Sequence, residues 1–365
     1  MFSTDPRESA AEAGLCYVSG RGPGIRRVRH GKSFRYVAAD GRPVRDPKQI
    51  ERIRSLAIPP AWSNVWICPS ANGHLQAFGW DAKGRKQYRY HPLYRSTRDE
   101  AKFSRLIAFG TVLSVIRRGV KRDLQRRGLP KEKVIATVVR LLETAFVRVG
   151  NEEYARENDS FGLTTMQNRH VAIAGTRLLF RFRGKSGQEH TIELTDRRLA
   201  KIVRQCQELP GYDLFEYVDR NGDVCRIDSA DVNRYIRHLA NQDFTAKDFR
   251  TWAGTLLAAR ELYAVGRAAN ATAAKHAIAA SVKRVAKRLG NRPAACRKYY
   301  IHPAVIDAYA DGSLFPVMKQ GEQQQTAYAG LGLRPEEYST MVIVADYQER
   351  LARATRERHS EGAAA

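Results

Sequence analysis

From Arg26 to about Pro92, short apolar or aromatic runs alternate with turn residues. Phe34-Arg35-Tyr36-Val37 and Val65-Trp66-Ile67-Cys68 are such runs, and Asp40-Gly41-Arg42-Pro43 and Asn72-Gly73 carry turn chemistry. That punctuation predicts a small β-rich domain. One helix is expected to interrupt it, capped by Asp46, running over Lys48–Leu56 and stopped by Pro59-Pro60. From Ser96-Thr97-Arg98-Asp99 the period changes, and apolar positions recur at three and four residues through Leu113, Val115 and Ile116. A second helix should follow Pro130 and reach about Val149. The domain junction is therefore expected near Leu93–Thr97, and residues 1–24, rich in Ala, Gly and acids, are expected to be a loose arm.

Within the helical part, Leu178, Phe180 and Phe182 alternate, Gly184-Lys185-Ser186-Gly187 turns, and His190, Ile192 and Leu194 alternate back. This predicts one β-hairpin. Ala274, Ile278, Val282, Val285 and Leu289 make an apolar stripe opposite Lys275, Lys283, Arg284, Lys287 and Arg288, with Gly290 placed to end that helix. A last helix should open at Pro335-Glu336-Glu337 and run to about Arg356. The expected fold class is α+β. Its parts are an arm (1–24), a β-rich N-terminal domain (25–95), a mainly α-helical domain with the hairpin (96–318), and a C-terminal tail with a helix (319–365).

Composition supports a folded chain: of 365 residues, 43% are hydrophobic and 9% aromatic, which excludes a disordered or collagen-like protein. No run approaches the ~18 apolar residues of a membrane span. Asp5, Glu8 and Glu12 stand where a signal peptide would need an apolar stretch, so a cytoplasmic location is expected. Five cysteines, odd in number and without a C-x-x-C pair, read as reduced thiols. The histidines are scattered, and no metal is expected. Charge adds more. The formal net charge is +24; residues 317–365 carry −1, so residues 1–316 carry +25. A body so charged repels itself unless a polyanion neutralises it. Nucleic acid is the foremost candidate; an acidic membrane surface or a merely basic soluble protein are the alternatives.

Several segments could carry chemistry. In Gly84-Arg85-Lys86-Gln87-Tyr88-Arg89-Tyr90-His91, strand alternation puts Tyr88 and Tyr90 on one face and Gln87 and Arg89 on the other. Such a strand suits a DNA groove, where Gln pairs with adenine and Arg with guanine or phosphate; an ordinary strand with its tyrosines packed inward fits equally well. Arg148 follows an apolar helix, and its partner is either a carboxylate, Glu143 or Glu152, or a phosphate. Arg250 poses the same choice, with Asp248 or Glu261 as the carboxylate. Lys185 at a hairpin tip reads in isolation as a solvated charge. Tyrosines beside two cations, in Arg297-Lys298-Tyr299-Tyr300, are either nucleophile candidates or packing residues.

Taken in order, Arg148, Lys185, Lys247-x-x-Arg250, Asn291 and Tyr300 resemble the active site of type IB DNA topoisomerases, in their small poxvirus-and-bacterial branch. Ile58-Pro59-Pro60-Ala61-Trp62, Gly84-Arg85-Lys86-Gln87-Tyr88, Arg148-Val149-Gly150-Asn151-Glu152-Glu153-Tyr154, Phe249-Arg250-Thr251-Trp252 and Cys296-Arg297-Lys298-Tyr299-Tyr300-Ile301-His302-Pro303 carry the resemblance, which spans about residues 25–315. It implies a tyrosine that attacks a DNA phosphodiester, stays joined to the 3′ phosphate while supercoils relax, and is displaced when the 5′ hydroxyl reseals the strand. Neither ATP nor metal is implied, and the chain has no G-x-x-x-x-G-K-[ST] phosphate loop.

The resemblance assigns Tyr300, directly before Ile301-His302-Pro303, as nucleophile, Arg148 and Arg250 as stabilisers of the phosphorane-like transition state, and Lys185 as general acid. Asn291 stands where many relatives have histidine; it can donate a hydrogen bond but cannot carry a proton. Arg85, Gln87, Tyr88, Tyr90, Asn151, Tyr154 and Lys247 are carried over as DNA contacts, Asn151 replacing a basic residue of poxvirus relatives and Lys247 also assisting the proton relay. The implied protein is a monomer closing on double-stranded DNA in the bacterial nucleoid. One rival is a tyrosine recombinase or integrase, which usually has His-x-x-Arg in place of Lys247-x-x-Arg250 and a helical N-terminal domain. The other is a non-enzymatic basic DNA-binding protein.

Overall fold

The computed structural model describes residues 5–31, 33–324 and 332–363, and the chain divides into two compact units, Met1–Ser104 and Arg105–Ala365. In the first unit, helix α1 (Pro6–Glu12) is capped by Asp5, whose carboxylate accepts from the Arg7 backbone N–H at 2.7 Å. Ala10 and Leu15 are buried with Tyr94, and the Cys16 N–H donates to the Asn72 carbonyl at 2.9 Å. Residues 5–24 are therefore anchored, which corrects the expected loose arm. The contacts responsible join residues far apart in sequence and leave no local periodicity to read.

Strands β1 (Ile25–His30), β2 (Ser33–Val37), β3 (Ser63–Ile67), β4 (Leu75–Trp80) and β5 (Lys86–Tyr90) form an antiparallel sheet in the order β2-β1-β3-β4-β5. Helix α2 (Pro47–Ser55) is capped by Asp46 as expected, and its Ile53 joins Ile25, Val65, Ile67 and Ala77 in a small core on one face. The other face is aromatic: Trp66 stacks on Phe78 at 5.3 Å and Tyr88 on Tyr90 at 5.9 Å. Tyr88 and Tyr90 keep 44% and 38% of their surface exposed, so they are not packed inward.

Helix α3 (Pro92–Asp123) is one continuous element. The junction expected at Leu93–Thr97 lies inside it, and the units divide between Ser104 and Arg105. Proline is tolerated in a first helical turn, so Pro92 opens the helix earlier than the polar residues after it suggested. Leu106, Phe109, Leu113, Ile116 and Val120 form its buried stripe, whereas Val115 is exposed. Helix α4 (Lys131–Ala145) ends at Phe146, whose φ of 57° is left-handed, four residues short of the expected end. The short helix α5 (Glu152–Asn158) follows.

The hairpin is present as β7 (Arg177–Gly184) and β8 (Gln188–Thr195), but β6 (Val171–Ala174) adds a third strand. Helix α6 (Arg197–Gln207) precedes a further ribbon of β9 (Glu216–Val218) and β10 (Val224–Arg226). Strands of three or four residues carry too little alternation to be seen in sequence. Helices α7 (Ser229–Ala240), α8 (Ala246–Val265), α9 (Ala271–Leu289), α10 (Pro293–Tyr300), α11 (Pro303–Asp311) and α12 (Leu314–Gln323) complete the body. All five stripe residues of α9 are buried, and Gly290 ends it at φ 59°.

Helix α13 (Pro335–Ala363) is not a tail. Glu337 is fully buried and accepts from Arg117 and Arg334, each at 2.7 Å, and Ile343 and Val344 enter the main core. No helix among the described residues is long and apolar enough to cross a membrane. The five cysteines are unpaired.

Candidate active site

Four chain segments of the helical unit meet around Tyr300. Helix α8 supplies Arg250, Gly254 and Thr255; Arg250 and Gly254, four residues apart, lie nearly one above the other, and Thr255 follows beside Gly254. Thr255 Oγ1 donates to the Tyr300 carbonyl at 3.2 Å and accepts from the His302 N–H at 3.1 Å. A Cβ on Gly254 would lie 2.4 Å from the Tyr300 carbonyl oxygen, so α10 reaches α8 only because that residue is glycine. The end of α10 is thus fixed by α8.

Arg250 is buried, at 4% exposure, and ties two helix ends together. Its Nη1 donates to the Phe146 carbonyl and its Nη2 to the Leu289 carbonyl, the latter at 2.7 Å. Its Cζ lies 5.2 Å from the centroid of the Tyr300 ring. Its Nε is buried and has no hydrogen-bond partner among the described residues. Arg148 stands two residues beyond the left-handed end of α4; its Nη1 donates to the Gly290 carbonyl at 3.4 Å and its Nη2 to Asn291 Oδ1. With that oxygen occupied, the Asn291 amide nitrogen is a second buried donor without an acceptor among the described residues.

Neither arginine takes the carboxylates that its sequence neighbourhood offers. Glu143 is held by Arg117 and Arg140, Glu152 is exposed and 3.9 Å from Arg226, Asp248 caps its own helix at Thr245, and Glu261 pairs with Arg284 at 2.6 Å. Two guanidinium groups are thus concentrated beside one phenol. Burial pushes Arg250 down to about 10, with the charge of Arg148 acting the same way and Tyr300 opposing both. For Tyr300, burial alone would raise the phenol. Arg250, through its charge and a hydrogen bond, together with Arg148 and Lys247, outweighs that and holds it below the ordinary tyrosine value. Tyr299 points away, 41% exposed, with Lys298 5.6 Å from its ring.

Lys185 lies apart from this group. It is exposed, and its ammonium sits over the ring of half-buried Tyr154 at 5.6 Å. Asn151 caps α5, accepting from the Tyr154 N–H at 2.7 Å. Lys247 is exposed on the first turn of α8. In the N-terminal unit, Asp81 holds two of the expected DNA contacts: Arg85 at 2.7 Å and the Gln87 amide at 3.0 Å. Arg89, on the same strand face as Gln87, donates to the Ala57 carbonyl at 2.9 Å. Among the described residues no three His, Cys, Asp or Glu side chains converge as metal ligands would.

Sequence reasoning missed His190. Its ring stacks on Phe182 at 4.8 Å and 4°, and burial with the charges of Arg148 and Arg250 pushes its pKa down to about 4. The available signal was an ionisable residue at an inward position of an otherwise apolar hairpin strand.

Residues 91–327 match the family model of the eukaryotic DNA topoisomerase I catalytic core, nearly two thirds of the chain. Residues 33–81 match that of the bacterial DNA topoisomerase IB N-terminal domain. The chain is 32% identical to the DNA topoisomerase 1B of Acanthamoeba polyphaga mimivirus over 80% of its own length and 89% of that protein. The chain belongs to the type IB DNA topoisomerases. The enzyme also shares 24% identity with the DNA topoisomerase 1 of rabbit fibroma virus over 63% of its own length and 70% of the relative. With vaccinia virus (strain Copenhagen) DNA topoisomerase 1B it shares 20%, over 66% and 74%. Membership of this family decides against the recombinase and the non-enzymatic readings, and DNA is the enzyme's partner. The α+β fold expected from the hydrophobic pattern is the one observed.

Proposed function

We propose that Tyr300 is the nucleophile of strand cleavage and that Arg148, Arg250 and Asn291 bind the scissile phosphate. The observation that carries this reading is the Tyr300 phenol, held below its ordinary value beside a buried guanidinium whose Nε has no acceptor. The Asn291 amide donor is unsatisfied in the same way. Buried donors without acceptors are costly, and a phosphate oxygen would relieve both. In cleavage the phenol loses its proton to solvent water, Oη bonds to phosphorus, and the bond from phosphorus to the 5′ oxygen breaks. Lys185 gives that oxygen its proton, and resealing reverses each step.

Lys185 stands on the exposed hairpin end and must move or be covered by DNA to act, which ties proton transfer to binding. Arg85, Gln87, Tyr88, Tyr90, Asn151, Tyr154 and Lys247 are assigned to the DNA surface. We assign the first unit, Met1–Ser104, to DNA clamping and the second, Arg105–Ala365, to catalysis. The enzyme acts as a monomer closing on duplex DNA in the bacterial cytoplasm, at the nucleoid. The large positive charge of residues 1–316 supports DNA binding, since a polyanion neutralises it.

The test is a denaturing gel for the protein–DNA adduct with Tyr300→Phe and Tyr299→Phe. Tyr300→Phe should abolish adduct and relaxation while binding DNA nearly as before. If Tyr299→Phe is the inactive variant, the nucleophile is the neighbouring residue; if both relax plasmid, the assignment fails.

A further inference from the structure

His190 lies where the hairpin bearing Lys185 meets the turn bearing Asn291. A Cβ at Gly290 would fall 1.9 Å from its Cε1 and 2.6 Å from its Nε2; one at Gly184 would fall 2.6 Å from Nε2. Gly184 directly precedes Lys185, and Gly290 directly precedes Asn291. Both chains come close enough to touch the ring only because each presents a glycine. Phe182, two residues before Gly184 on the same strand, backs the other face of the ring. The imidazole makes no hydrogen bond among the described residues, although the Gly290 carbonyl beside it accepts from Arg148. The groups that face it are cationic or neutral: Arg148, Arg250, Phe182 and the two glycines. With its basicity suppressed by burial and by the charges of Arg148 and Arg250, the ring can act only through its shape and position.

We propose that His190 is a positioning residue for strand cleavage: a neutral ring wedged between Gly184 and Gly290 that seats the base of the Lys185 hairpin on the Asn291 turn, and so sets where the lysine ammonium can reach. Burial and the two guanidinium charges keep the ring uncharged across the working pH range. The inference rests on the assignment of Lys185 as general acid.

The experiment is single-turnover cleavage of a suicide duplex carrying a cleavage site mapped on plasmid, made with either the ordinary 5′ oxygen or sulfur at the bridging position. A thiolate leaves without needing a proton, so a defect confined to proton delivery disappears with sulfur. His190→Ala should slow cleavage of the oxygen substrate at least tenfold and of the sulfur substrate less than threefold. Gly184→Ala, whose added methyl group would push the ring aside without demanding a left-handed backbone, should show the same pattern. In a Lys185→Ala background, His190→Ala should add less than threefold. If Lys185→Ala is itself not rescued by sulfur, the general-acid assignment falls and this inference with it. If Lys185→Ala is rescued but His190→Ala and Gly184→Ala lose equally on both substrates, the positioning role alone is refuted. Loss confined to thermal stability, with cleavage of folded protein unchanged, refutes it too.

Discussion

Replacing Arg250 by alanine tests the site most directly, because this side chain has two separable jobs. Structurally it gives hydrogen bonds to the carbonyls of Phe146 and Leu289. Leaving two buried carbonyls without donors costs about 1–3 kcal/mol each. Part of that is offset, because a guanidinium pushed down to about 10 by burial was itself costly to bury. The net loss of stability should therefore be modest, a fall in melting temperature of a few degrees. Chemically, two effects multiply. Loss of a donor aimed at a non-bridging oxygen lowers the rate by about 10²–10³. Arg250 is also the foremost charge holding the Tyr300 phenol down against burial. Without it, burial would carry the phenol upward, and each unit costs about tenfold in phenolate at neutral pH. Single-turnover cleavage should fall by about 10³ or more, and its rising pH limb should move to higher pH. Arg250→Lys keeps the charge but cannot span both carbonyls, so it should remain well below the parent enzyme. The assay is adduct formation followed over pH 6–10, beside a thermal melt. A folded Arg250→Ala protein that cleaves within tenfold of the parent, with an unmoved pH limb, would refute the reasoning.

Two further outcomes follow from charge. Glu337 is held down to about 2 by hydrogen bonds and charge from Arg117 and Arg334, which overcome its burial. Its folded value lies below its unfolded one, so the stabilisation, about 3 kcal/mol, is complete above the ordinary glutamate range and is lost as pH falls from about 4.5 towards 2. Denaturation midpoints of the parent and Glu337→Gln should converge in acid, and parallel curves would contradict this. Binding to duplex DNA should weaken by about 10³–10⁵ between 50 and 200 mM salt if 6–10 phosphates are neutralised. A flat salt response, measured by fluorescence anisotropy, would remove the electrostatic clamp.

What could be read along the chain is what repeats within a few residues. The α9 stripe, the Asp46 cap, the Gly290 terminus and the hairpin around Lys185 all lie where local period and turn chemistry place them. The order of Arg148, Lys185, Arg250, Asn291 and Tyr300 was legible too, as was the concentration of positive charge before residue 317. Tertiary structure decided the partners. Sequence neighbours offered each arginine a carboxylate, yet Arg250 bonds carbonyls at two distant helix ends and Arg148 takes the Asn291 amide. It also separated Tyr300 from Tyr299, one beneath a guanidinium and the other facing solvent. Residues 5–24 and α13 looked like appendages because their anchors, Tyr94 for the first and Arg117 for the second, lie far away in the chain. Caps and stripes are set by bonds between near neighbours, so sequence alone determines them. Which donor meets which acceptor across a hundred residues depends on where whole helices pack, and no local pattern carries that.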